Sequence, residues 1–265
     1  MDKFNLKERV AIITGCAGLL GRQHAFAIAE KKGIVVAIDV NIERLRDLKN
    51  DFNKKNFEIS IFKSDITNEI SVNKIKNKIK KKYGRIDILI NNAQSDYVPI
   101  KKFKVLENSV ENYSLIKWEK EINVGLKGAF ICSKIFGKEM AVKKSGVIIN
   151  VASDLSVIAP DQRLYDHMNA KKPVTYSVIK HGLIGLTKYL ASYWSDRNIR
   201  VNAISPGGIY NNQNKVFVKK IKKLIPLNRM AYVEEYKGAI QFLCSDASSY
   251  MTGHNLVIDG GRTII

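Results

Sequence analysis

Three tyrosines are followed by lysine at the fourth position: Tyr97 in YVPIK, Tyr113 in YSLIK and Tyr176 in YSVIK. A phenol titrates at about 10 and is a poor base at neutral pH. A lysine one helical turn away shares its face, and the ammonium charge favours phenolate. A tyrosine tuned in this way could take a proton from an alcohol while hydride leaves the carbinol carbon, or return a proton to a carbonyl. Context separates the three. Pro99 interrupts the first pair, and Tyr113 falls before the helical pattern that begins near Ile116. Tyr176 opens YSVIKHGLIGLTKYLASYW, whose apolar residues recur at helical spacing. That segment follows the strand-like GVIINVAS, which ends in Ser153, a hydroxyl able to meet the same carbonyl oxygen. Tyr165 has Asn169 at the fourth position and drops out. The candidate acid–base set is therefore Tyr176 and Lys180, with Ser153 beside them.

The frame that must position this set is legible as alternation. Short β-branched runs occupy 9–15, 34–39, 58–65, 85–93, 146–153, 199–207 and 255–261. Amphipathic segments lie between them near 19–32, 41–55, 69–83, 116–143, 175–196 and 232–245. Such alternation implies right-handed crossovers and an α/β fold: one doubly wound, seven-stranded parallel sheet with helices on both faces. No Pro/Gly/Ser-rich linker divides the 265 residues, so residues 1–265 read as one domain. Ligands of such sheets sit at the carboxyl ends of the strands.

The residues after the strands agree with that rule. TGCAGLLG, residues 14–21, follows the first strand and opens the first helix. Gly15 permits a tight turn, Gly18 or Gly21 lets backbone approach a pyrophosphate or lets helix pack close to strand, and the helix N-terminus supplies free N–H groups, with Leu20 also a cofactor-binding candidate. Asp39 ends the second strand, where a carboxylate accepts hydrogen bonds from a ribose and repels a 2′-phosphate. This favours NAD over NADP, although Arg44 is near. Asp65, with Ile66 behind it, could hold an adenine edge, or Asp65 could cap the next helix. Asn92 and Ala93 end the fourth strand, where an amide could brace the glycine turn.

Composition narrows the class. The three cysteines, Cys16, Cys132 and Cys244, are far apart and read as reduced thiols of a cytoplasmic protein. The N-terminus lacks the apolar stretch of a signal peptide, and no apolar run approaches membrane-spanning length. The net charge is +19, yet the lysines are scattered and no aromatic-basic reading surface is evident, so neither nucleic acid nor a membrane is expected as partner. The four histidines are dispersed, and no metal set is expected.

These pieces together resemble the short-chain dehydrogenases/reductases over essentially the whole chain. The matching residues are TGCAGLLG, Asp39, NNA (91–93), Asn123 in EINVGLKGAF, Ser153, YSVIK, NAISPGG and the terminal DGG. The resemblance implies a Rossmann-fold oxidoreductase with Ser153, Tyr176 and Lys180 as its catalytic set and Asn123 holding a water of the proton relay. It implies that Pro206 and Gly207 close over the nicotinamide and that Ile209 contacts its carboxamide. It also implies a homotetramer or homodimer, with Gly182, Gly185 and Ala191 letting helices approach across an interface.

Three departures from the family pattern stand out. Position 19 is Leu where glycine is usual, and Gly18 is used instead, a spacing found in nucleotide-sugar epimerases and dehydratases. Gln94 replaces a glycine after NNA. Ser153 and Tyr176 are 23 residues apart, so residues 154–175 form an insert expected to bulge over the site. That insert is similar to a branch associated with flagellin modification and surface-polysaccharide synthesis, which implies a phosphorylated or nucleotide-linked sugar. Gln162, Arg163 and Tyr165 of the insert are substrate candidates, Arg163 as a phosphate clamp. His167 reads as an ordinary loop histidine. Residues 208–228 read as a lid, whose lysines at 215, 219, 220, 222 and 223 suit either an anionic sugar or a solvated face. Two rival readings remain: an epimerase or dehydratase that retains its NAD, and a non-catalytic dinucleotide-binding scaffold.

Overall fold

The computed structural model describes residues 2–95, 108–168 and 170–265. The YVPIK pair at 97–101 and Asn169 lie outside the described residues. Seven parallel strands form one sheet in the order β3-β2-β1-β4-β5-β6-β7. The strands are β1 (Val10–Thr14), β2 (Ile34–Asp39), β3 (Ile59–Lys63), β4 (Ile88–Asn91), β5 (Gly146–Val151), β6 (Ile199–Pro206) and β7 (Asn255–Ile258). All seven expected runs are strands; β2 matches its expected run and the other six are trimmed to the part that pairs. The order reverses between β1 and β4, which places a crevice beyond their carboxyl ends.

Successive strand residues face opposite ways, and the two faces carry separate cores. Ala11 and Ile13 of β1 pack with Ala25, Phe26, Leu45, Phe52 and Ile240, from α1 (Leu19–Glu30), α2 (Ile42–Lys54) and α8 (Lys237–Cys244). Val10 and Ile12 pack with Val72, Ile79, Ile131, Phe136 and Leu190, from α3 (Glu69–Tyr83), α5 (Gly128–Lys143) and α6 (Val174–Tyr193). Burial on both faces explains why the five inner strands read as continuous apolar runs; the edge strands β3 and β7 are mostly half-buried. Cys16, Cys132 and Cys244 are buried and free.

Two expectations change. The long helix near 116–143 is α4 (Leu115–Ile122) and α5 joined by a π-helical turn, Asn123–Lys127. Inside that turn and at the start of α5, Gly125 and Gly128 face Ile179 and Ile66 so closely that a Cβ would meet them at 2.7 and 2.6 Å. The second is α7 (Lys215–Lys222), a two-turn helix absent from the amphipathic segments read in the sequence. It packs Ile221, Phe217 and Val218 against Leu164, Tyr165 and Met168 of the 154–175 insert, a third small apolar cluster. Lys220 also donates to the carbonyl of Arg163 at 2.8 Å. Of the helix proposed for an interface, Gly182 packs on Leu126 of its own chain, Ala191 is buried in the core, and Gly185 faces open space.

Candidate active site

A cavity of about 1230 Å³ runs along the carboxyl ends of the strands, from Asp39 and Asp65 at one end to Tyr165, Tyr176 and Arg262 at the other. At the first end the turn after β1 is made by Gly15, with φ +60°. A Cβ there would lie 2.6 Å from the Ala93 backbone, and one on Gly21 would lie 2.3 Å from the Gly15 carbonyl. Gly18 caps α1 without a side chain, so the helix N–H groups face the cavity unscreened. Asn92 braces this turn as expected: its amide donates to the carbonyls of Thr14 and Gly15, at 3.1 and 2.9 Å. Thr14 adds a hydroxyl that accepts the N–H groups of Asn92 and Ala93. Leu19, the departure from the family pattern, is largely exposed beside the cavity and leaves the cradle open.

Asp39 closes the end of β2. One carboxylate oxygen accepts from the Ala17 N–H at 3.1 Å and the other from Asn41 at 2.9 Å, so it is fixed between the glycine turn and α2. Arg44 is exposed and also lines the cavity. Asp65 does not cap α3; Asn68 does, accepting from Ser71 N–H. Asp65 instead accepts from Thr67 N–H at 2.8 Å and faces the cavity, with Ile66 buried behind it. Pro206, Gly207 and Ile209 line the wall after β6. Glycine turn, free helix N-terminus, carboxylate at the end of β2 and an elongated cavity fit an NAD(P) dinucleotide.

Ser153, Tyr176 and Lys180 come together at the other end. Lys180 is buried and donates to the Val151 carbonyl at 2.8 Å, and its Nζ is 5.5 Å from the Tyr176 ring centre. Burial pushes this ammonium down to about 7, and the Lys172 charge adds to the effect. The Tyr176 phenol shares the cavity with Ser153 and is pushed up to about 12. Burial is the main cause; the Asp154 charge adds, and the Ser153 hydroxyl and Arg262 oppose it. Sequence reasoning expected Lys180 to lower the phenol. In the chain alone, desolvation outweighs that effect and the resting group is a neutral phenol.

Ser153 sits just past β5, at the start of a 3-10 turn, Asp154–Ser156. Its hydroxyl donates to Asp154 Oδ1 at 2.8 Å, and its oxygen accepts from Leu155 N–H. A hydroxyl has one proton, and the bond to a carboxylate is the stronger use of it. Asp154 Oδ2 accepts from Arg262 Nη1 at 2.7 Å, and both residues are buried. Asp154 and Arg262 were not singled out from sequence; adjacency to Ser153 was the one available signal for Asp154. A second unforeseen network lies beneath. Asn91 donates to Asn150, and Asn150 donates to Thr187 on α6, tying the strands that carry the site to the helix that carries Tyr176.

The remaining candidates divide. Asn123 opens the π-helical turn; Lys120 and Val124 beside it line the cavity, whereas Asn123 is not among the lining residues. Tyr165 is buried and lines the cavity. Gln162 does not line it; its side chain clasps the Lys172 backbone, accepting from the N–H at 2.9 Å and donating to the carbonyl at 3.3 Å. Arg163 forms a two-pronged ion pair with Asp161 and its side chain is 84% exposed, which points it away from the cavity. Lys215, Lys219, Lys222 and Lys223 line a separate outer groove. His167 is exposed and outside the cavity. Tyr113 of YSLIK donates to Glu121 at 2.7 Å and is not a cavity residue, which removes that pair. Among the described residues no group of His, Cys, Asp and Glu could hold a metal ion, and no helix is long and apolar enough to cross a membrane.

Known proteins share this architecture. The family model described as enoyl-(acyl carrier protein) reductase matches residues 15–263. An NAD-dependent glycerol dehydrogenase of Listeria innocua is 36% identical over 98% of this chain and 96% of its own. A D-threitol dehydrogenase of Mycolicibacterium smegmatis is 33% identical over 98% and 95%. Post-translational flagellin modification protein A of Campylobacter coli is 31% identical over 97% and 98%. Among solved structures, a gluconate 5-dehydrogenase from Burkholderia cenocepacia in complex with NADP and tartrate superposes with a TM-score of 0.86, at 26% identity over 100% of this chain and 98% of that one. With the strand order, the glycine turn and the Ser–Tyr–Lys set on one cavity, these similarities place the chain in the short-chain dehydrogenase/reductase family, as an NAD(P)-type oxidoreductase acting on alcohol groups.

Proposed function

We propose that the protein is an NAD-dependent dehydrogenase/reductase of a polyol or sugar, with Tyr176 as the proton-transferring group. One observation carries the reading: Ser153, Tyr176 and Lys180 converge at the end of a cavity whose other end holds the Gly15 turn and the Asp39 carboxylate. Tyr176 exchanges a proton with the substrate oxygen, and the bound dinucleotide supplies the hydride acceptor or donor at the carbinol carbon. Ser153, held by Asp154 and Leu155, orients that oxygen. A phenol that rests neutral is ready to donate to a ketone; oxidation of an alcohol requires added positive charge near the ring. Lys180 and Asn123 support the return of the proton to solvent, Asn123 through a water.

Asp39 supports NAD over NADP, because a carboxylate already accepting from Ala17 and Asn41 would repel a 2′-phosphate. The glycerol and threitol relatives support a polyol or sugar substrate, and the Campylobacter relative supports a role in flagellin or surface-glycan modification. The 154–175 insert and the 208–228 segment, packed on each other through α7, act as substrate loop and lid. Exposed Leu115 and Ile116 on α4 and Phe130 on α5 suit contact with a second copy. Three buried, unpaired thiols suit the cytoplasm.

The test is NADH and NADPH fluorescence titration of wild type and Tyr176→Phe, with turnover of a polyol and sugar panel. The expected outcome is tighter NADH binding in both proteins and a loss of about 10²–10⁴ in kcat for the variant. Full turnover by Tyr176→Phe would overturn the assignment, and preferential NADPH binding would overturn the role of Asp39.

A further inference from the structure

We propose that Lys172 is the substrate-specificity residue of this site, and that it reads a carboxylate or phosphate carried near the reacting carbinol. The inference rests on the proposed function and deepens it by naming the substrate class. Lys172 reaches the cavity from the insert, two residues before α6 begins, and its Nζ lies 3.6 Å from the centre of the Tyr176 ring. A cation over an aromatic face is held in place by the ring quadrupole, so the ammonium is positioned beside the proton-transferring group. Gln162 fixes the Lys172 backbone from both sides, which makes the placement a property of the insert's fold rather than of a free side chain.

Charge around the phenol supports the assignment. Lys172, Lys180 and Arg262 line this end of the cavity with Asp154 as the neighbouring carboxylate. Arg262 and Asp154 are committed to each other at 2.7 Å. Among the described residues at this end, three cationic side chains face one carboxylate, Asp154, and burial pushes Lys172 down to about 8, with Arg262 adding and Asp154 opposing. An anionic group on the substrate would offset the desolvation and would gain a charge-assisted hydrogen bond. A neutral polyol would gain neither. Tyr165, Met168 and Phe217 are among the apolar residues that line the cavity with Lys172. The anionic sugar anticipated from Arg163 and the lid lysines is thus carried by a different residue, because those side chains face outward.

The experiment compares wild type, Lys172→Met and Lys172→Arg, each first shown to bind NADH. Equilibrium binding of gluconate and of glycerol 3-phosphate to the NADH-loaded proteins is read by fluorescence. Turnover of glycerol, xylitol, gluconate and glycerol 3-phosphate with NAD is measured in parallel. The expected result is that Lys172→Met weakens binding of at least one anion tenfold or more. Its kcat/KM ratio of anionic to neutral substrate should fall by a similar factor, with partial recovery in Lys172→Arg. Which anion responds separates a carboxylate reader from a phosphate reader. Anion binding that is absent from wild type, or equal in wild type and Lys172→Met, overturns the inference. An equal fall for neutral and charged substrates also overturns it, since that marks a structural effect on Tyr176. Failure of the polyols and sugars to turn over at all would overturn the proposed function, while the binding measurement still decides the role of Lys172.

Discussion

At the dinucleotide end the cavity wall is backbone and strand ends: the Gly15 turn, the N-terminus of α1, Asn92 on the loop carbonyls and Asp39 on the Ala17 N–H. At the substrate end it is side chains drawn from distant segments: Asp154 after β5, Lys172 and Tyr165 from the insert, Phe217 from α7 and Arg262 beyond β7. The first end works because few atoms are allowed near the ligand, and the second because particular atoms are supplied. A cradle of backbone N–H groups suits any dinucleotide and tolerates changes that add no bulk. A wall of side chains can be re-specified by changing a few of them. The strongest tests of this contrast are ones that cut each end by its own principle.

The largest effect is expected at the substrate end, from Asp154→Ala or Arg262→Met. Removing one partner of a buried ion pair leaves the other charged and desolvated, which costs about 3–5 kcal/mol. Denaturant unfolding should show that loss for either single variant. The double variant should be less destabilised than the sum of the singles, since no orphan charge remains. Turnover of Asp154→Ala should also fall, because Ser153 loses the carboxylate that orients its hydroxyl. If the singles unfolded like wild type, the ion pair would be an ornament and the substrate end would owe its shape to the third apolar cluster alone.

At the dinucleotide end the matching cut is Gly21→Ala, which adds one carbon where there is no room. The new Cβ would lie 2.3 Å from the Gly15 carbonyl and 2.8 Å from Cys16 Cα. Overpacking of this kind costs about 1–3 kcal/mol. The turn should shift and NADH binding should weaken tenfold or more, while the Asp154–Arg262 pair stays intact. Isothermal titration with NADH measures this directly. Unchanged binding would mean that the cradle adapts, and that the two ends differ less than their construction implies.

How much of each end was readable follows from the same contrast. The strands were legible because burial on both faces demands unbroken β-branched runs, and the glycine turn because a φ of +60° and a 2.6 Å approach admit little else. Tyr176 was separated from Tyr113 by context alone: the one opens a helix beside a strand end, the other serves Glu121. The substrate end was hard to read because its partners are far apart in sequence. Asp154 and Arg262 are 108 residues apart, and nothing local announces the pairing. Arg163 misled for the opposite reason: its partner, Asp161, is two residues away, and a local ion pair turned it outward. The π turn at Asn123–Lys127 was missed because close packing of Gly125 and Gly128 on other elements, not helical periodicity, accompanies it. The neutral phenol of Tyr176 was missed because spacing shows the lysine but not the burial.

An intermediate effect tests the helix beneath the cradle. His24 on α1 is fully buried, and neither ring nitrogen has a hydrogen-bond partner. Burial lowers its pKa from 6.5 to about 3. The unfolded chain therefore binds a proton that the folded chain refuses between those values. Stability is retained above pH 6.5 and lost as pH falls towards 3. Between pH 7 and pH 5 this amounts to about 2 kcal/mol from His24 alone. Thermal or urea unfolding across that window should show the slope, and His24→Leu should flatten it. A slope that survives the substitution would assign the acid sensitivity elsewhere.

The smallest expected effect is the one that tells the two ends apart most finely. Asp39→Asn keeps the shape of the side chain and an acceptor for the Ala17 N–H, so the glycine turn should hold. What it removes is the charge that would repel a 2′-phosphate. NADH binding should weaken only a few-fold, NADPH binding should improve, and the ratio should move by about tenfold, or about 1.4 kcal/mol. Exposed Arg44 nearby is then placed to receive the phosphate, and Asp39→Asn with Arg44→Ala should lose the gain. The anion preference assigned to Lys172 should be the same in Asp39→Asn as in wild type, because Asp39 ends β2 and Lys172 lies in the insert before α6. A change in that preference would show that the ends communicate, and that the division between a generic cradle and a specific wall is one of construction only.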